Sequence, residues 1–280
     1  MSTRIYSNLL SLTAQRNIYN TQLNMDRAVT RLSSGLRINT ASDDPAGLAI
    51  SERFRAQIAS MVEAERNANN NVNLMATAEG ALSGIDDILV RMRAIAIQAS
   101  NGALMDEDRI AINVEFQQLR SEITRIARAT TYAGLPLLDG SYTTYNPLGI
   151  KFHIGTNNVR DVDYYYVTLG PMTAGALGLN DLDVLNTASA QAAIDEIDLA
   201  IQSKDTERTK LGAYINRMQY TINNLQISRE NATTSLSQIQ DADIASEMSD
   251  FIRAQILMQS GVAMLTQANM LPQIVAGLIG

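Results

Sequence analysis

Along most of this chain apolar residues recur at steps of three and four, the spacing that lines one face of an α-helix. The longest run extends from Pro45 to about Ser100. It reads Ile50, Phe54, Met61, Ala64, Ala68, Met75, Ala78, Leu82, Ile85, Leu89, Met92 and Ala96, interrupted by Gln57 and Asn71. A second, from about Thr187 to Ile239, carries Ala190, Ile194, Ile197, Ile201, Leu211, Ile215, Met218, Ile222, Leu225, Ala232, Leu236 and Ile239. Lys204, Arg208 and Arg229 interrupt that seam. A shorter run, Ile112, Phe116, Leu119, Ile123 and Ile126, follows Asp106-Glu107-Asp108, acids that suit the start of a helix. Long seams of matching period predict helices lying side by side.

The two chain ends carry apolar stripes of their own. From Thr3 to Leu36, Ile18, Met25 and Leu32 fall seven apart, with Gln22, Val29 and Leu36 interleaved; Ile5, Leu9 and Leu12 extend the stripe toward the terminus. At the other end, Met248, Phe251, Ile252, Met258, Val262 and Leu265 mark a stripe, and no charged side chain follows Arg253. Gln255, Gln259, Gln267, Asn269 and Gln273 keep the remaining faces polar but uncharged. A lone helix of this kind exposes a large apolar patch, so it needs a partner. Recurrent Gln and Asn, with Pro272, argue against a bilayer. Burial against the first segment and against other copies of the chain fits better.

Breaks separate these segments. Ser33-Ser34-Gly35 and Asn39-Thr40-Ala41-Ser42 are turn-formers, and Asp43-Asp44-Pro45 reads as an N-cap with Pro at the first helical position. Between Gly134 and Gly178 the composition shifts: three of the five Pro and seven of the sixteen Gly fall there. Within it Ile150–Ile154 and Asp163–Leu169 are β-rich, joined by Gly155-Thr-Asn-Asn158 turn chemistry. The expectation is a mainly α protein. Its long helical bundle or coiled coil has both termini paired, and a β-hairpin region occupies 134–178. The division runs 1–42 with 238–280 as one domain and 43–237 as the other, linked through Ser33, Ser34, Gly35, Asn39, Asp43, Asp44 and Pro45.

Composition narrows the function. The chain is 46% hydrophobic but 5% aromatic, without Trp, so its cores are Ala, Leu, Ile and Met, as long packed helices favour. A net charge of −7 argues against nucleic-acid binding, and the absence of Cys excludes disulfides and thiolate metal sites. The N-terminus lacks a signal-peptide pattern, so any export is expected to use another route. His153, the single His, lacks partners at ligand spacing. Asp43-Asp44 and Asp241–Asp243 read as helix caps rather than catalytic carboxylate pairs. The Met residues are core filler. Tyr164-Tyr165-Tyr166 reads as a two-faced strand, and Ser141–Thr144 offers hydroxyls for glycosylation. No catalytic residue, cofactor or metal is expected.

Several separated stretches resemble one family. The run RLSSGLRINTASDDPAGLAISERFRAQI (31–58) resembles the N-terminal signature of bacterial flagellins, and DADIASEM…QILMQSGVAMLTQANMLPQIV (241–275) resembles the C-terminal one. LVRMRAIAIQASNG (89–102), EFQQLRSEITRIA (115–127), Tyr132-Ala-Gly134 and Leu137-Leu-Asp-Gly140 are similar to family segments in between. The resemblance implies a flagellar filament subunit used for motility. It would be exported through the flagellar type III channel with an export chaperone at its C-terminal helix. Its partners would be copies of itself and the hook-associated junction and cap proteins. It also implies a location outside the cell, or in the periplasm of a spirochaete-like cell. Leu9, Leu12, Ile18, Met25, Val29, Leu32, Met248, Phe251, Ile252, Met258, Val262 and Leu265 would build an inner coiled coil. Only Gly178–Asn186 stands where many flagellins carry large outer domains, which implies a thin, smooth filament. The segment with Leu89, Arg91, Ile95, Gln98 and Glu115 resembles a surface bound by an animal innate immune receptor, or else packs in the filament. Ala94 and Ile95 depart from the family pattern there. A hook–filament junction protein and a secreted membrane-active translocator are the rival readings.

Overall fold

The computed structural model describes residues 8–142 and 146–279, with side chains as far as residue 270. In chain order the elements are helices α1 (Leu9–Ser34), α2 (Pro45–Ala99) and α3 (Asp106–Ala129), then strands β1 (Thr131–Tyr132), β2 (Leu135–Pro136), β3 (Ile150–His153) and β4 (Tyr164–Val167). Helices α4 (Thr187–Gln240) and α5 (Ile244–Ile279) complete it. The fold is mainly helical with small antiparallel sheets. Ile5 of the expected first stripe and Thr143-Thr144 of the hydroxyl cluster lie outside the described residues.

The chain divides into two compact units, residues 1–58 with 230–280, and residues 59–229. These boundaries fall inside α2 and α4; the division drawn from the sequence falls at the α1–α2 link on one side and within the last turn of α4 on the other.

In the 59–229 unit the core follows the seams. Buried Met75, Leu82, Leu89 and Ala96 of α2 recur every seven residues, as do Ala78, Ile85, Met92 and Ala99. Phe116, Ile123 and Ala127 of α3 and Ala190, Ile197, Leu211 and Met218 of α4 join the same cluster. α2 runs unbroken through Gly80 and Gly84. Its C-terminal end is held by buried Arg109, whose Nε donates to the Ala99 carbonyl and whose Nη2 donates to that of Asn101, each at 3.0 Å. A cation there complements the negative end of the helix dipole.

Strands β3 and β4 pair antiparallel, Phe152 opposite Tyr165 and His153 opposite Tyr164. Phe152, Tyr165 and Val167 are buried and Lys151 is exposed, the alternation of a one-sided sheet. The loop between the strands is longer than Gly155–Asn158, because Asp163 does not enter the strand. Its buried carboxylate accepts the backbone N–H groups of Asn157 and Val159, each at 3.0 Å. Those bonds hold the carboxyl below its ordinary range. The sequence reading missed a second hairpin. β1 and β2 turn through Ala133 and Gly134 at φ 50° and 83°, the mirror-image turn that suits a two-residue hairpin loop.

In the other unit α1 and α5 pack antiparallel. Asn8 Nδ2 donates to the Ala268 carbonyl at 2.8 Å near one end, and Arg31 Nη1 lies 2.9 Å from Glu247 Oε1 near the other.

Candidate assembly surface

Each terminal helix buries a narrow seam and exposes much of the rest. On α1 the side chains turned away from solvent are Ser11, Ala14, Ile18, Thr21, Met25, Ala28 and Leu32; on α5 they are Glu247, Phe251, Ala254, Met258, Gly261, Leu265 and Ala268. Both sets step by three and four, as coiled-coil seams do. The packing is close: a Cβ added to Gly261 would lie 2.9 Å from Ile18 Cγ1. Here the structure corrects the sequence reading. The interleaved α1 positions are Thr21 and Ala28, not Gln22 and Val29. Met248, Ile252 and Val262 leave the stripe and are exposed, as are Leu9, Leu12 and Val29. The physical reason is width. A seam takes two residues in seven, and on each helix a bulky row (Ile18, Met25 and Leu32; Phe251, Met258 and Leu265) alternates with a small one (Ala14, Thr21 and Ala28; Ala254, Gly261 and Ala268), so the remaining bulky residues fall outside it.

The exposed apolar set is larger than the sequence stripe. On α5 it also includes Ile244, Ile256, Leu257, Met264 and Met270, and on α1 Leu10, Tyr19 and Leu23. On α5 they spread well beyond the seam that meets α1, among exposed but uncharged Gln255, Gln259, Gln267 and Asn269. Apolar exposure on that scale marks an interaction surface. Among the described residues no helix is long and apolar enough to cross a membrane.

The segment between α1 and α2 is hydrogen-bonded throughout. Ser33 and Ser34 complete the last turn of α1 rather than a turn outside it, and Gly35 caps that helix at φ 71°, its N–H donating to the Arg31 carbonyl at 2.8 Å. Asn39 Nδ2 donates to the Leu36 carbonyl at 2.9 Å. Asp43 accepts the N–H groups of Thr40 and Asn39, which hold its carboxyl below the ordinary range. Asp44 Oδ1 accepts the N–H of Gly47 at 2.9 Å, capping α2 ahead of Pro45. This segment runs beside the α4–α5 break. Leu36 and Asp241 form an antiparallel bridge, with the Arg37 N–H donating to the Gln240 carbonyl at 2.7 Å and that of Ala242 to the Gly35 carbonyl at 2.9 Å. Asp243 Oδ1 caps α5 through the N–H of Ala245 at 2.9 Å.

The second sequence-derived face is brought together only in part. Leu89, on the α2 seam, and Ile95, beside it, are buried in the core and cannot line a surface. Arg91, Gln98 and Glu115 are exposed, and Arg91 Nη2 pairs with Glu115 Oε1 at 2.7 Å across α2 and α3. Exposed Val90, Ile97, Ile110 and Val114 on the same two helices escaped notice. Their signal was a second spacing, seven between the α2 pair and four between the α3 pair.

His153 stacks on Tyr164 with ring centroids 5.9 Å apart. Among the described residues no group of three or more His, Asp or Glu is placed to hold a metal ion.

Paired helices that leave many large apolar side chains exposed beyond their seam are what a self-associating structural protein requires. The comparisons agree with that class. Residues 5–143 match the bacterial flagellin N-terminal helical region and residues 194–279 the C-terminal helical region. A flagellar filament 33 kDa core protein of Treponema phagedenis is 40% identical over 98% of this chain and 99% of its own. A flagellin of Halalkalibacterium halodurans is 41% identical over 98% and 99%. The crystal structure of Bacillus cereus flagellin is 33% identical over 57% of this chain and 88% of its own, with a TM-score of 0.48. The chain belongs to the bacterial flagellin family, a family of structural proteins.

Proposed function

We propose that this chain is the repeating subunit of a bacterial flagellar filament, and that copies join by covering the exposed faces of α1 and α5. The observation that carries this is the charge-free surface of α5 beyond Arg253, on which Ile256, Leu257, Val262, Met264 and Met270 are exposed. Repetition of a non-self-closing contact gives an open helical polymer rather than a ring. On this reading residues 1–42 and 238–280 form the inner part of the tube and 43–237 the outer. The bonded link from Ser33 to Pro45 adjusts when the filament changes its supercoil. The subunit is delivered by the flagellar type III route with a carrier chaperone on α5, and it meets hook-associated junction and cap proteins at the filament's ends. It resides outside the cell, or in the periplasm of a spirochaete-like cell.

Electron microscopy of the purified chain tests the core of this. Long thin tubes are expected from the intact protein and none from Ile256→Glu, with helical circular dichroism unchanged. Tubes from both, or from neither, would sink it, and leakage of dye from liposomes would favour a translocator. Arg91, Gln98 and Glu115, with exposed Val90, Ile97, Ile110 and Val114, form a packing face in this reading. Arg91→Ala should therefore weaken polymerisation; a loss confined to an innate-receptor reporter assay would favour the receptor reading.

A further inference from the structure

Helices α2 and α4 meet along an apolar seam that repeats every seven residues: Met75, Leu82 and Leu89 on one, Ile197, Leu211 and Met218 on the other. Sliding one helix by a heptad, about 10 Å, puts similar side chains back into similar holes. Such a seam holds two helices together without choosing their offset.

One position breaks the repeat. Lys204 occupies the seam place midway between Ile197 and Leu211, and its side chain is 2% exposed. Its Nζ lies 2.5 Å from Asp86 Oδ1 and 2.7 Å from Asp205 Oδ1. Other cross-helix pairs flank it: Arg93 with Asp198 at 2.6 Å, Arg208 with Glu79 at 2.6 Å and Arg229 with Glu65 at 2.7 Å. The α2 members, 65, 79, 86 and 93, stand on a single heptad row, whose remaining place between 65 and 79 is apolar Val72. In three rungs α2 supplies the acid and α4 the cation. The Arg93–Asp198 rung is reversed.

That reversal distinguishes the offsets. A slip of one heptad in one direction carries Asp198 to Asp86 and Arg208 to Val72. The opposite slip carries Lys204 to Arg93 and Arg229 to Val72. Either way a like-charge pair forms in a half-buried setting and a cation faces an apolar neighbour, while the apolar seam stays satisfied. We infer that this ladder, centred on buried Lys204, is a register key that fixes the axial offset of α2 and α4.

The chain lacks Cys, so two engineered thiols report the offset without interference. Spin labels on Asn73→Cys and Gln202→Cys, both exposed and well separated along the axis, give one distance in the otherwise unchanged, unpolymerised chain. Removing the ladder's charges (Glu65→Gln, Glu79→Gln, Asp86→Asn, Arg93→Gln, Asp198→Asn, Lys204→Met, Arg208→Gln, Arg229→Gln) is expected to add a second distance, shifted by about 10 Å, with helicity retained. A folded variant showing only the original distance overturns the inference and leaves the offset to α3 and the β-hairpin. If that variant does not fold, a swap decides. Glu79→Arg alone should broaden the distance distribution, and Glu79→Arg with Arg208→Glu should restore the single distance. Failure of the swap to restore it overturns the inference as well.

Discussion

A single carboxylate can organise a loop, and Asp163 does so by accepting the N–H groups of Asn157 and Val159. Asp43 does the same for Thr40 and Asn39. Both carboxyls titrate below their ordinary range in the folded chain. A depressed folded value means the stabilisation is complete above the unfolded carboxylate range and is lost as pH falls through the folded one. Unfolding midpoints should therefore drop from about pH 6 to about pH 2, and Asp163→Asn should show a smaller drop; equal drops would remove Asp163 from this account. Gly47 gives a steric counterpart. A Cβ there would lie 2.3 Å from Asp44 Oδ2 and 2.7 Å from Ile38 Cδ1. Gly47→Ala should cost about 1–3 kcal/mol by overpacking, despite the better helix propensity of Ala, as read from denaturant midpoints. Of these details the sequence displayed the caps, since Asp before Pro is local chemistry. It could not display the fold-back of Asp163, which depends on a loop closing over it.

Among the elements, α2 was legible almost to the residue. Its limits are set by neighbours in sequence, Asp44-Pro45 at one end and Asn101-Gly102 at the other, and its seam has one apolar side. Leu89, buried at the middle of that seam, should cost about 2–5 kcal/mol when cut to Ala, measured by chemical denaturation. A cost well below that range would mean the core collapses around the gap. α5 was legible as a helix but not in its orientation. When apolar residues spread well beyond one stripe, periodicity cannot say which side meets α1, so Met248, Ile252 and Val262 were placed in the wrong set. β1 and β2 were invisible for another reason, because two-residue strands are too short to alternate.

At the scale of the whole molecule, the pairing of the two chain ends was readable because each carries an apolar stripe with no other partner in sequence. The exposed face around Arg91 and Glu115 was less so, since a heptad pattern reports what is inward and is silent about what is outward. The split into units at 58/59 and 229/230 had no signal at all, because helices run through both boundaries without a change of composition. Gly261, pressed against Ile18, carries a further consequence. Ala14, Ala28, Ala254, Gly261 and Ala268 hide little hydrocarbon when the terminal helices meet, at about 0.8 kcal/mol per methylene-sized group, so the pairing rests mainly on the bulky row of Ile18, Met25, Leu32, Phe251, Met258 and Leu265. That pairing leaves Ile256, Leu257 and Met264 uncovered, so on the filament reading extracting a subunit from among its neighbours would mean stripping those side chains as well as parting the seam.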